Sequence, residues 1–330
     1  MFLVDSHVHW IEVIRMILDK ALLDIPIKDA AAHIFRRPFL FVNPTAHMLQ
    51  IATFLAIGPQ IYADGLIVIN ESNNKPIGRI SSKHIISNII NTGYPKWLET
   101  TALQIMDDFA GIVDMNSSLS KVLEVFDKTR FAFVVIVSKG NDRIDSEHDS
   151  KAVEEAVVAS LSIRDILPLI AKMNIDIPIR DLCRPLISVD KNTSVRSAID
   201  FMMKNGIRNI GIRDDGDYSD DISNRNNRNN NNKTKLLRTI NDRKILEFLL
   251  SDKGKQIMRK NGIAGLADVN IINHLDMIST NKVKYGTTTS EAAELLTHID
   301  NPCLILENEE YGNNYSIVTP WDIVMKTRLN

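Results

Sequence analysis

Cysteine is scarce, with two residues in 330. Cys183 and Cys303 are each flanked by apolar neighbours, so they suit small core side chains in a reducing compartment and offer no framework for disulfides or zinc. A basic surplus is also missing: 39 Lys and Arg stand against 41 Asp and Glu, for a formal net charge of −2 at pH 7. A protein that grips nucleic acid by neutralising phosphates usually carries such a surplus, so nucleic acid drops from the front rank of partners. No run reaches the roughly 18 apolar residues of a membrane span, and Asp5 stands where a signal peptide would want basic residues. A cytoplasmic protein without a membrane partner is expected. What remains, 44% hydrophobic and 24% charged residues, is the composition of a soluble globular protein long enough for about two domains.

The most informative stretch is Val157 to Leu167, an apolar strand that turns directly into a helix. The Ser162 hydroxyl and the Asp165 carboxylate lie three residues apart at that turn, beside the unsatisfied N–H groups of a first helical turn. Such a corner can hold an anion on its amides and hydroxyl while the carboxylate accepts from a sugar diol. Ser-x-x-Asp is equally a plain helix-capping pattern. The layout recurs, however, around Ser81 and His84, around Asn241 and Lys244, and around Thr319 and Asp322. Positions 81, 162, 241 and 319 are spaced by about 80 residues through the chain, which means repeats.

Each repeat follows one grammar. A short strand leads into a helix with a polar start, over Thr45 to Leu55, Asn116 to Phe126, Thr193 to Met203 and Thr287 to Leu296; Thr288 and Glu291 have the spacing of a capping box. A continuous apolar strand follows, Gly65 to Ile69, Phe133 to Val137, Ile207 to Ile212 and Cys303 to Leu306, of the kind buried on both faces. Then come a polar connection, the strand and corner, and a closing helix such as Ile163 to Ala171 or Lys244 to Leu250. An α/β unit of this kind leaves apolar helix faces that a second copy must cover.

Ahead of the repeats, Ile11 to Leu23 has helical spacing and is expected to pack on the body. His7 and His9 resemble the His-x-His strand of metal-dependent amidohydrolases, but the other six histidines are scattered and no metal site is expected. Ser138 to Glu155 reads as a charged, mobile connection, and the Asn-rich Asp214 to Thr234 as a disordered insertion.

The β-α-β-β-α unit ending in a glycine-type turn, Ser/Thr-x-x-Asp and two apolar residues resembles the CBS (cystathionine β-synthase) domain. The resemblance covers about residues 30 to 330. It implies an α/β fold of four CBS repeats at 31–97, 98–172, 173–262 and 263–330, paired into two Bateman modules behind a helical leader at 1–30. The likeness is to archaeal stand-alone CBS proteins and the γ subunit of AMP-activated protein kinase. In that family an adenosyl ligand (AMP, ADP, ATP or S-adenosylmethionine) lies between paired repeats, with the Ser/Thr on phosphate and the Asp on the ribose hydroxyls. The resemblance therefore assigns Ser162 with Asp165 and Thr319 with Asp322 as nucleotide-binding pairs. It assigns Ala110, Gly111 and Ala132 to the adenine slot of repeat 2, and Thr280 and Pro302 to that of repeat 4. His84 and Lys244 stand where the diol acceptor should be, and a cation cannot accept from a diol. Those two corners could instead offer positive charge to phosphates at a neighbouring site through Arg79, Lys83, Arg208, Arg243 and Lys244, with Ser81 as a further phosphate contact. The motif glycine is replaced by Ala159 and Ser316 in repeats 2 and 4.

The leading expectation is a non-catalytic regulatory protein that senses an adenine nucleotide, needs no catalytic cofactor and passes occupancy to an unknown protein partner. Nucleic-acid binding through the basic corners is the second, and a ligand-free scaffold the third. Whether two modules stack within one chain or pair with a second chain as a homodimer stays open in the sequence.

Overall fold

The computed structural model describes residues 23–57, 64–108, 111–138, 156–214, 235–275, 278, 281–298, 302–307 and 315–327. The leader helix but for Leu23, His7 and His9, the connection after Ser138 up to residue 155, and the Asn-rich insertion lie outside these residues. Asp214 is the exception: expected to open the insertion, it ends a strand instead, paired with Lys235 across the ladder and 2.8 Å from the Lys191 ammonium.

Four small sheets form. The first holds β1 (Phe41–Val42), β2 (Leu66–Asn70), β3 (Lys75–Ile80) and β4 (Asp107–Asp108) in that order. The second holds β5 (Ile112–Asp114), β6 (Phe133–Ser138) and β7 (Ala156–Ser162). With β8 (Arg184–Pro185) set aside, β9 (Ser188–Asp190), β10 (Asn209–Asp214) and β11 (Lys235–Asn241) make the third. The fourth runs β12 (Lys282–Val283), β13 (Leu304–Glu307), β14 (Tyr315–Val318) and then β8. In every sheet the first pair is parallel and the second antiparallel.

Strand β4 belongs to the lead-in of repeat 2 and closes the sheet of repeat 1, with Arg79 opposite Asp107. By the same exchange β8, the lead-in of repeat 3, pairs with β14 of repeat 4, Ile317 opposite Arg184. Where the lead-in of repeat 4 meets β11, a single bridge joins Ile278 to Thr239. Each lead-in thus reaches another repeat's corner.

The apolar runs are continuous because alternate residues of a strand serve different cores. Leu66 and Val68 of β2 face a helical core while Ile67 and Ile69 face the other sheet. In β6, Val134 and Ile136 likewise face helices, whereas Phe133, Val135 and Val137 meet β2 across the sheets. Cys303, Ile305 and Ile317 of repeat 4 meet Leu236 of repeat 3 in the matching inter-sheet core. Burial pushes the Cys303 thiol up to about 12, so it stays a thiol. Repeats 1 and 2 therefore pair through sheets, and repeats 3 and 4 do the same.

The helices do the opposite. In repeats 1 and 2 these are α1 (Met48–Ile57), α2 (Ser82–Thr92), α3 (Leu119–Thr129) and α4 (Leu167–Lys172). Repeats 3 and 4 supply α5 (Val195–Asn205), α6 (Asp242–Leu250), α7 (Asp252–Asn261), α8 (Thr289–Thr297) and α9 (Pro320–Thr327). One core joins α1 and α2 to α5 and α6, and the other joins α3 and α4 to α8 and α9. The two modules accordingly stack within a single chain. The predicted closing helix of repeat 2 is split: Ile163–Ile166 is a 3-10 turn, and the α-helix starts at Leu167 with Pro168 in its first turn, where the missing N–H costs nothing.

Candidate functional site

In repeat 2, Ser162 caps the turn, its hydroxyl accepting from the Arg164 N–H at 3.2 Å, while its own N–H donates to Asp165 Oδ2 at 2.7 Å. Both residues are buried, Asp165 with 3% of its surface exposed. A carboxylate that deep must be paired, and Arg37 supplies the pair with Nη1 on Oδ1 at 2.7 Å and Nη2 on Oδ2 at 2.6 Å. Arg37 also donates to the Ser160 carbonyl, and His33 Nε2 lies 3.4 Å from Oδ1. Both carboxylate oxygens are thereby engaged.

Repeat 4 has the same corner in a looser form. Thr319 donates both its N–H, at 3.0 Å, and its hydroxyl, at 2.7 Å, to Asp322 Oδ2. The cations stand further off: Arg184 Nε is 3.5 Å from Oδ2 and Lys326 Nζ is 3.4 Å from Oδ1. Both are about half exposed, and Lys326 also donates to the Leu182 carbonyl.

At the first corner the charges are exchanged. Ser81 N–H donates to His84 Nδ1 at 2.9 Å, so the ring proton belongs on Nε2, which meets Asp107 Oδ2 at 2.9 Å. Arg79 Nη2 reaches the same oxygen at 3.0 Å. Burial pushes the His84 imidazole below its ordinary value against the pull of Asp107, and lowers Arg79 to about 10. Burial would raise the Asp107 carboxyl, but His84 and Arg79 together hold it below the usual carboxylate range.

In the third repeat, Asn241 accepts from the Lys244 N–H, and Lys244 Nζ turns to Glu247 at 2.7 Å. Opposite this corner, where the other lead-ins carry Arg or Asp, stands the apolar Ile278. Arg208 bridges Asp242 at 2.9 Å and Asp64 at 3.0 Å, and Asp242, then Asp64, hold its guanidinium above the ordinary value. Arg243 donates to the Leu55 carbonyl in the last turn of α1, and Arg164 donates likewise to the Leu296 carbonyl of α8. Burial lowers Arg243. Cations at helix C-termini are well placed energetically, and here they tie one module to the other.

None of the contacts of Arg208, Arg243 and Lys244 described above reaches an intact corner: Arg208 and Arg243 meet Asp64 and the Leu55 carbonyl where repeats 1 and 3 touch, and Lys244 pairs with Glu247 of its own helix. Ser81 serves its own turn, whereas Lys83 is exposed at the rim of a small apolar hollow of about 50 Å³ between α2 and α5. Of the slot residues, Ala132 accepts from the Ile163 N–H beside the Ser162 corner, and Gly111 is buried and accepts from the Val135 N–H on the other side of β6. Pro302 is half-buried ahead of β13, and Ala110 and Thr280 lie outside the described residues.

Sequence reasoning missed the lead-in partners Arg37, Arg184 and Asp107. A signal existed for two of them, since Arg37-Pro38-Phe39 and Arg184-Pro185-Leu186 are the same Arg-Pro-apolar triplet in the lead-ins of repeats 1 and 3.

No family model matches the sequence, and no curated protein does. Among solved structures, a protein from Methanocaldococcus jannaschii, described as a proposed archaeal homologue of g-AMPK, superposes with a TM-score of 0.70 at 17% identity, covering 91% of this chain and 99% of that one. An uncharacterized conserved protein from Pyrococcus horikoshii gives 0.49 at 15% identity, over 81% and 93%. A CBS domain protein from Pyrobaculum aerophilum complexed with AMP gives 0.33 at 21% identity, over 43% of this chain and 98% of that one. With four sheets of one pattern, exchanged lead-ins and four corners in register, the chain has the fold of CBS-domain proteins, similar to that of the archaeal g-AMPK homologue.

Proposed function

We propose that this protein is a non-catalytic sensor that binds an adenosyl ligand at the corner of repeat 4 and passes its occupancy on through the angle between repeats 3 and 4. The observation that carries this is Asp322: it sits buried at a helix start beside Thr319, yet its nearest cations are at 3.4 and 3.5 Å. A ribose diol offers two donors to the two oxygens of such a carboxylate. Thr319 Oγ1 and the half-exposed ends of Arg184 and Lys326 would then turn to a phosphate. The Asp165 corner is the weaker candidate, because a diol there must displace a bidentate guanidinium. Occupancy can shift the two repeats only by as much as the ligand prefers one arrangement over the other.

A thermal-shift panel of AMP, ADP, ATP and S-adenosylmethionine on the parent, Asp322→Asn and Asp165→Asn tests this. A ligand at about 100 times its Kd should add about 2.7 kcal/mol to the parent. Asp322→Asn should lose that gain and Asp165→Asn should keep it. Equal stabilisation of the parent and of the double variant overturns the assignment.

A further inference from the structure

The corner of repeat 1 reverses the charges of the clasped corners in repeats 2 and 4. There the helix start holds the carboxylate and the lead-in holds the arginine. In repeat 1 the donors are on β3 and α2, and the acceptor is on the two-residue strand β4.

The two sides differ in how firmly they are held. Arg79 is 8% exposed, lies over the Phe131 ring, and keeps a buried Nε with no hydrogen-bond partner among the described residues. His84 is fixed by the Ser81 N–H, which leaves Nε2–H as an outward donor without any need for protonation. Asp107, by contrast, is 48% exposed, and one of its oxygens, Oδ2, takes both donors. Its strand is exposed at both residues. Short exposed segments open at small cost, and a half-exposed ion pair contributes little. Lys83, next to His84 in sequence, is exposed and makes no ion pair among the described residues.

We propose that this corner is an anion site in which Asp107 is the resident stand-in, and that a phosphate dianion, free or as a phosphomonoester, takes its place on Arg79, His84 and Lys83. A phosphate brings three acceptor oxygens where Asp107 offers one to the two donors, and the third would meet the Lys83 ammonium. The site stands apart from the Asp322 corner, since it needs no diol and lies in another repeat.

The test is equilibrium binding of inorganic phosphate and of glycerol 3-phosphate to the full chain. Asp107→Asn removes the competing charge and should tighten binding about tenfold, a change equivalent to about 1.4 kcal/mol. Asp108→Asn, which removes an equal charge one residue away, should leave it unchanged. Adding Lys83→Gln to Asp107→Asn should weaken it again. If Asp107→Asn folds poorly, Lys83→Gln alone must still lower phosphate binding relative to the parent. Equal effects of Asp107→Asn and Asp108→Asn, or no binding of either probe to any variant, overturn the proposal. Asp322→Asn should leave phosphate binding at this corner unaltered, so its failure and that of the nucleotide site are told apart.

Discussion

At the residue scale, burial decides what each corner can do. A carboxylate as deep as Asp165 cannot remain unpaired, and an arginine more than a hundred residues away in sequence meets the need. Asp322 is as deep but draws its nearest hydrogen bonds from Thr319, so its cations stand back. His84 shows the same rule with the sign reversed. Its folded value lies below its ordinary 6.5 because burial penalises the charged ring, so the unfolded chain takes up the proton first. The stabilisation is therefore complete above about pH 6.5 and is lost as pH falls through that value towards the lower folded one. Asp107, also held low, adds a loss that begins only as pH falls past its ordinary 3.8. Urea unfolding between pH 7.5 and 5 should thus show a decline in the parent that is smaller in His84→Gln, which cannot titrate. Identical slopes in the two would remove His84 from the account.

Elements carried most of what could be read from the sequence. The apolar strands were legible because burial on both faces leaves a continuous run. The helix starts were legible because capping is local: Thr288 and Glu291 form the expected box. The exchange of β4 and β8 was not, because a two-residue strand has no period, and each pairs with a strand of another repeat, β4 with β3 of the preceding one and β8 with β14 far along the chain. Nor was the helix α7, whose sequence Asp252–Asn261 has few apolar positions and is held by Ser251 accepting from the Gly254 N–H. How tightly the sheets meet gives a test at this scale. A Cβ on Gly65, at the entry to β2, would lie 2.5 Å from Phe133 Cε1 and 2.6 Å from the Ile80 carbonyl. The ring belongs to the neighbouring repeat and the carbonyl to the paired strand, so neither gives way cheaply. Gly65→Ala should cost about 1–3 kcal/mol as a lower urea midpoint at unchanged m. A loss too small to measure would mean that the inter-sheet core is slack.

Taken as one molecule, the chain has no boundary along which it could come apart repeat by repeat. Sheet cores join repeats 1 with 2 and 3 with 4, while helical cores join 1 with 3 and 2 with 4. Every repeat therefore shares apolar surface with two others, and Arg164 and Arg243 add a hydrogen bond across each helical contact. Such a ring of interfaces should melt as a unit, because losing one repeat exposes the faces of two neighbours. Two tryptophans report on opposite sides of it: Trp97 is fully buried in the core of repeats 1 and 3, and Trp321 packs on Phe126 in that of repeats 2 and 4. With Trp10 replaced by Phe throughout, Trp321→Phe leaves Trp97 as the sole reporter and Trp97→Phe leaves Trp321. Because the two variants differ in stability, each is compared with its own far-UV circular dichroism in urea. The fluorescence and dichroism midpoints should coincide in both. A fluorescence transition displaced from the dichroism in either variant by more than about 0.5 M urea, roughly 1 kcal/mol at common m values, would mean that one helical core melts while the other stands. The four repeats would then be two independent halves, and a ligand at Asp322 could not report to repeats 1 and 2.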